Sequence, residues 1–221
     1  MIGDSRQGID PAVEFIDMET IGISTETYKR GIFPKLGLYK RGLFPAGSVV
    51  LFMDLDMIIA GDLDRFVARV AAMGGTHVLA RHVGGLWPLV PERWRIDRGG
   101  NTTVIGFIAD EDCNLYDAFV GDPETYFRRY ANDQDYVTAM AKKLHYWPHG
   151  WIVLFRRSLL WPYPLNRVFK SALRPRNRLV NFGGFPKYED LTGTGELRFG
   201  IGWKRKVVKL PVDWIAERWH D

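Results

Sequence analysis

Cysteine is nearly absent: one thiol, Cys113, stands in 221 residues. A single thiol excludes an intramolecular disulfide framework and any zinc site built from paired CxxC motifs. Long apolar runs are missing too. The longest stretches without a charged residue, 42–53 and 144–155, have 12 residues each, against the ~20 apolar residues of a membrane-spanning helix. The opening Met1-Ile-Gly-Asp-Ser-Arg lacks the apolar segment of a secretory signal. Internal repeats and low-complexity tracts are also absent. A soluble, cytoplasmic protein is the expectation these absences leave.

What is present is globular. Hydrophobic residues make up 46% and charged residues 25% of the chain, proportions that exclude a disordered or collagen-like polymer. The length suits one domain spanning residues 1–221. A net charge of +4 is a weak field for the whole chain, but it is unevenly placed. Residues 156–178 carry Arg156, Arg157, Arg167, Lys170, Arg174, Arg176 and Arg178 and no acid. This local excess outweighs the chain's net charge, so the remainder is net negative.

Apolar, β-rich runs at 13–16, 48–53, 76–80, 102–109, 151–155 and 178–182 predict strands. The continuous run at 48–53 predicts a strand buried on both faces. Residues 62–73 predict an amphipathic helix with Leu63, Phe66, Val67, Val70 and Ala71 on one stripe. Further helices are expected over 113–120, 123–131, 133–143 and 212–219. Asp122-Pro123-Glu124 is a strong start signal, and Lys142 and Lys143 suit a helix end. Residues 28–43 are mixed, their helical spacing interrupted by Gly31, Pro34 and Gly37. Alternating strands and helices imply an α/β fold with a mixed central sheet flanked by helices. Two segments, 84–100 and 156–178, predict irregular loops, the kind of segment that carries binding function.

The sharpest local feature is Leu51-Phe52-Met53-Asp54-Leu55-Asp56, an apolar strand running into Asp-x-Asp. In an extended chain the two aspartates would share a face, about 6.6 Å apart by Cα rise. Two carboxylates so placed repel each other unless a cation or a hydrogen-bond network lies between them. Hard oxygen ligands suit Mg²⁺ or Mn²⁺, commonly completed by substrate phosphates, and strand carboxyl ends are where open α/β sheets bind ligands. The ordinary alternative is a pair of solvated aspartates that start a turn.

Phe52-Met53-Asp54-Leu55-Asp56, followed by Ile58-Ile59-Ala60-Gly61-Asp62-Leu63-Asp64, resembles the DxD region of GT-A fold glycosyltransferases. It is most similar to bacterial enzymes distantly related to glycosyltransferase family 8. Other blocks resemble the family in order: Lys35-Leu36-Gly37-Leu38-Tyr39 with Leu43-Phe44-Pro45, Asn101-Thr102-Thr103-Val104, Asn132-Asp133-Gln134-Asp135-Tyr136, and residues 179–187, Leu-Val-Asn-Phe-Gly-Gly-Phe-Pro-Lys. The resemblance spans about residues 2 to 190. It implies a GT-A-like, Rossmann-like domain that moves a sugar from a nucleotide diphosphate donor, a UDP-sugar, to a glycan or phosphate-bearing acceptor, using Mn²⁺ or Mg²⁺. Asp54 would face the ribose or donor sugar and share the metal site, and Asp56 would bind the metal. Lys35 and Lys187 would add positive charge at the diphosphate, and Asn101 would bond a sugar hydroxyl. Asp133 and Asp135 would face the donor sugar or the acceptor hydroxyl. The family's late block carries a metal-binding histidine. The alignable positions here are Asn181 and Gly183, so Asn181 would offer a carbonyl oxygen instead. Ile2-Gly3-Asp4-Ser5 is similar to the end of the family's second strand. This implies a domain whose first, base-holding strand is missing, with an exposed or partner-paired sheet edge.

Each residue also has an ordinary reading. Asp133 suits a helix N-cap, and Asp135 the first turn of a helix. Lys35 and Lys187 suit solvent, and Asn101, after Gly99-Gly100, suits a turn. Arg81 and His82 end a strand on the presumed ligand side. Trp87, Trp94, Trp147, Trp151 and Trp161 would stack on sugars or pack in the core. The basic segment 156–178 would meet an acidic acceptor or an anionic membrane surface, or stay solvated. Nucleic acid is not an expected partner, because no recognition motif is visible. Two other functions remain open: a transferase relative that binds sugar nucleotide or glycan without turnover, and a haloacid-dehalogenase-like phosphatase. The second expects Thr or Val where this chain has Ile58.

Overall fold

The structure is a computed structural model describing residues 2–3, 5–23, 27, 33–81, 91, 94, 97–161, 164–165, 168–201 and 206–217. In chain order its strands are β1 (Ile2–Gly3), β2 (Ile16–Asp17), β3 (Val49–Met53), β4 (Met57–Ile59), β5 (Thr76–Ala80) and β6 (Gly100–Ile108), then β7 (Leu144–Tyr146), β8 (Ile152–Leu154), β9 (Leu179–Asn181), β10 (Gly195–Phe199) and β11 (Lys206–Leu210). The helices are α1 (Asp64–Met73), α2 (Asn114–Gly121), α3 (Pro123–Arg129), α4 (Asp133–Met140) and α5 (Asp213–Ala216). The chain divides into two compact units. The first comprises Met1–Phe52, Phe66–Ala80 and Arg98–Tyr146; the second comprises Met53–Arg65, Arg81–Asp97 and Trp147–Asp221.

In the first unit a four-stranded sheet runs β3-β6-β5-β7. β5 is antiparallel to β6 and parallel to β7, so the sheet is mixed. β3 ends the order and all five of its residues are only half-buried. The double-sided burial expected from its composition is therefore only partial. β7 was not visible in sequence. The chain leaves α4 at Met140, and residues 144–146 then join the sheet beside β5. Lys143 accordingly caps a different helix from the one expected: its Nζ donates to the carbonyl of Met73, the last residue of α1, at 2.6 Å.

The helices of this unit form for readable reasons. Asp62 Oδ1 accepts the Asp64 N–H at 2.8 Å where α1 begins. Only Phe66 and Val70 of α1 are buried, a narrower stripe than the spacing suggested, and Val67 is exposed. Asp122 caps α3 by accepting from the Thr125 N–H, with Pro123 in the first turn. Leu36, Leu38 and Tyr39, from a 3-10 turn over Phe33–Tyr39, pack with Val78, Ile105, Phe107, Leu115, Phe119, Tyr136 and Val137. This is one contiguous apolar core, and the hydrophobic effect is its main stabiliser.

The second unit holds the mixed sheet β4-β9-β8, in which β9 is antiparallel to β4 and parallel to β8. The ladder β10-β11 is antiparallel. Its core gathers Ile58, Val153, Phe155, Leu159, Val180, Phe182, Leu191, Trp214 and Ile215. Phe155 and Leu159 lie in a π-helical turn, Phe155–Leu159, that keeps Arg156 and Arg157 exposed. Together the two units make a mixed α/β fold of mixed sheets and flanking helices, as expected from the sequence. No described helix is long and apolar enough to cross a membrane.

Candidate functional site

In the second unit, sequence blocks far apart in the chain meet at Asp56. β3 stops at Met53, and Asp54, Leu55 and Asp56 form the bend before β4. The Asp-x-Asp segment is therefore not extended, and the shared-face geometry of a strand does not apply to it. Leu55 is 79% exposed, whereas Asp54 and Asp56 are half-buried. Antiparallel pairing of β4 with β9 sets Met57 opposite Asn181. The Phe182 N–H then donates to the Asp56 carbonyl at 2.9 Å. Asn181, 5% exposed, donates from Nδ2 to Asp56 Oδ1 at 3.1 Å. Its own Oδ1 accepts the Gly183 N–H at 3.0 Å. Past Gly184, which takes φ +83°, the chain turns back and Lys187 Nζ reaches Asp56 Oδ2 at 3.1 Å. Asp190 Oδ2 steadies that turn by accepting the Lys187 N–H at 2.8 Å.

This arrangement does not fit a divalent cation. Mg²⁺ and Mn²⁺ take oxygen lone pairs, preferably anionic ones. Here Asn181 presents its NH₂ to Asp56, and its carbonyl oxygen is engaged by Gly183. The two bonds fix that orientation, because a carboxylate needs a donor and an N–H needs an acceptor. Asp56 Oδ2 is already paired with the Lys187 ammonium. Among the described residues, no three of His, Cys, Asp and Glu gather as a metal set would.

A second cluster of predicted residues lies in the first unit. Asp133 is 1% exposed and accepts from Thr102 Oγ1 at 2.5 Å. Lys35 Nζ donates to the Thr102 carbonyl at 3.4 Å and lies 5.5 Å from the centre of the Phe52 ring. Burial pushes the Asp133 carboxyl above the usual carboxylate range; the Thr102 hydroxyl and the Lys35 charge pull the other way but are the smaller effects. Asp133 is not the cap of α4. Asn132 holds that position, its Oδ1 accepting the Asp135 N–H at 2.9 Å, so Asp133 begins the helix with its carboxylate turned to β6. Asp135 is half-buried in the same first turn. Asn101 Oδ1 accepts the Thr103 N–H at 3.0 Å, a local bond within β6. Thr102 was missed from sequence as a site partner. The available signal was its place in a strand one residue from Asn101.

The described residues of the expected loop at 156–178 are irregular after its π-helical turn. Trp161 and Phe169 are both about half exposed, with ring centroids 5.1 Å apart. Lys170 pairs with Asp213 at 3.1 Å, which offsets part of the basic charge, and Arg178 Nη1 donates to the Pro175 carbonyl at 2.6 Å. Trp147 is buried, Trp151 half-buried and Trp94 exposed. Arg81 follows β5 and is half-buried. His82, Trp87, Arg167, Asp4 and most of the loop at 84–100 lie outside the described residues.

No protein-family model matches the chain, and no curated protein matches it. Among solved structures, it is similar to a crystal structure of the galactosyltransferase LgtC in complex with donor and acceptor sugar analogs. That similarity has 15% identity and a TM-score of 0.49, and covers 84% of this chain and 71% of the other.

Proposed function

We propose that the chain is a GT-A-like glycosyltransferase that moves a sugar from a nucleotide diphosphate donor, a UDP-sugar, to a glycan or phosphate-bearing acceptor. The observation that carries this reading is the meeting of Asp56 and Lys187, 131 residues apart in sequence. The DxD block and the late block, each singled out by its own resemblance, converge on one carboxylate. The Lys187 ammonium is assigned to the donor diphosphate, where a lysine acts as a point charge on phosphate. Charge grows on that group as the bond from the sugar's anomeric carbon to the diphosphate oxygen breaks. A fixed cation there stabilises the leaving group. Asp54 is assigned to the ribose or donor sugar, and Lys35 and Asn101 to the donor. Asp133 and Asp135 are assigned to the donor sugar or the acceptor hydroxyl, whose oxygen bonds to the anomeric carbon as its proton is lost to a carboxylate or to the departing diphosphate. The exposed arginines of 156–178 suit an anionic acceptor, or anionic lipid at about 1 kcal/mol per basic residue near a membrane surface.

The test incubates the protein with a panel of nucleotide diphosphate sugars and follows release of nucleoside diphosphate. Release with at least one donor, lost in Asp56→Ala, is expected. Failure of every nucleotide sugar to bind, measured by calorimetry, overturns the reading. Binding without release would leave a sugar-nucleotide-binding protein in its place.

A further inference from the structure

We propose that the Asp56 site binds its nucleoside diphosphate without a divalent cation, because the Lys187 ammonium stands where the cation would be. The inference rests on the transferase reading above and concerns how that site neutralises phosphate.

Three contacts carry it. Asp56 Oδ2 is held by Lys187 Nζ at 3.1 Å, and Asp56 Oδ1 by Asn181 Nδ2 at 3.1 Å. The Asn181 carbonyl oxygen is committed to the Gly183 N–H at 3.0 Å. A divalent cation at Asp56 would have to expel the ammonium, turn the Asn181 amide and leave the Gly183 N–H without its acceptor. In return it would gain, beside Asp54, only a carboxylate already compensated and one neutral oxygen. Asn181 is almost fully buried, so turning it meets packed neighbours. Gly183 adds a further constraint. Its N–H approaches Asn181 because the residue lacks a side chain: a Cβ there would lie 2.9 Å from Asn181 Oδ1.

The same contacts suit a diphosphate. The Lys187 side chain is 46% exposed while its ammonium is tethered to Asp56, whose side chain is 26% exposed. An ammonium has three N–H donors, and the salt bridge directs only one of them at the carboxylate. The tether removes part of the rotamer freedom a lysine otherwise loses on binding. Asp56 thus acts as a positioning residue for Lys187, and Asn181 as a positioning residue for Asp56.

Two measurements test this on the full chain. In the first, free Mn²⁺ is followed by electron paramagnetic resonance as protein is added without nucleotide. The expected result is no loss of the free-ion signal. A loss that Asp56→Ala abolishes overturns the proposal whether or not a nucleotide binds. In the second, UDP, GDP, ADP, CDP and TDP are titrated by calorimetry in EDTA and then in Mn²⁺. At least one is expected to bind with affinities equal within about twofold in the two conditions, and about tenfold or more weaker to Lys187→Met in EDTA. Lys187→Arg, which keeps the charge, is expected to retain binding and controls for folding. Binding that requires Mn²⁺, or that Lys187→Met leaves unchanged, overturns the proposal and leaves the transferase reading standing. No binding in either condition overturns both.

Discussion

At the scale of single residues, Asp133 shows how burial changes what a carboxylate does. It is almost fully buried, and its carboxyl sits above the usual range because burial outweighs the Thr102 bond, the Lys35 charge and backbone N–H bonds from Gln134 and Asp133 itself. A carboxyl raised in the folded state keeps its proton to higher pH than in the unfolded chain. The folded state then binds more protons, so this group's contribution falls as pH rises from its ordinary value of 3.8 through the raised one. Asp133→Asn keeps an acceptor for Thr102 and cannot titrate. Urea midpoints of the variant are therefore expected to decline less than those of the wild type as pH rises over that window, and parallel curves would count against a buried titrating Asp133. The sequence marked Asp133 for a resemblance and for capping. The capping half went instead to Asn132, one residue earlier. Lys187 was legible only as a lysine near a family-like block, because an ion pair spanning 131 residues cannot be read from spacing.

At the scale of elements, local rules were reliable where an element's end is set by its own side chains. The start of α3 was readable from Asp122 and Pro123, since an N-cap bond spans three residues. The same physics makes a prediction for α4. Asn132→Ala removes the acceptor of the Asp135 N–H and is expected to lower stability by about 1 kcal/mol, whereas Asn132→Asp is expected to be near neutral. Chemical denaturation of the two variants checks both. Short elements with little apolar signal of their own were not legible. β4 has three residues and exists because it pairs with β9, and β7 because it pairs with β5. β10 and β11 likewise depend on each other, and β10 is largely exposed, so its composition carries little strand signal.

At the scale of the molecule, the described residues form two apolar cores, one in each unit. One is centred on Phe107, Phe119 and Tyr136, the other on Phe155, Phe182 and Ile215, and they share no residue. Mutations without shared partners add to within about 0.5 kcal/mol. Phe119→Leu and Phe155→Leu are each expected to cost about 1–2 kcal/mol, and the double variant close to their sum. Denaturant titrations of the three variants measure this, and a coupling above about 1 kcal/mol would show that the cores are not independent. The two clusters of candidate site residues divide in the same way: Asp56, Asn181 and Lys187 belong to the second unit, Lys35, Thr102 and Asp133 to the first.

The sequence alone determined the α/β alternation, the helix starts, the position of the two aspartates and the absence of a thiol framework. All of these rest on interactions a few residues long or on composition. Only the tertiary structure decided what Asp56 faces. The Asn181 amide has a donor end and an acceptor end, and which one meets the carboxylate depends on where the Gly183 N–H lies. That position is set by the β4–β9 register and the turn back to Lys187, both products of long-range pairing. Asn181, expected to offer its carbonyl, meets Asp56 with its NH₂ while the carbonyl accepts from Gly183, and Asp56, expected to face a metal, is paired with Lys187.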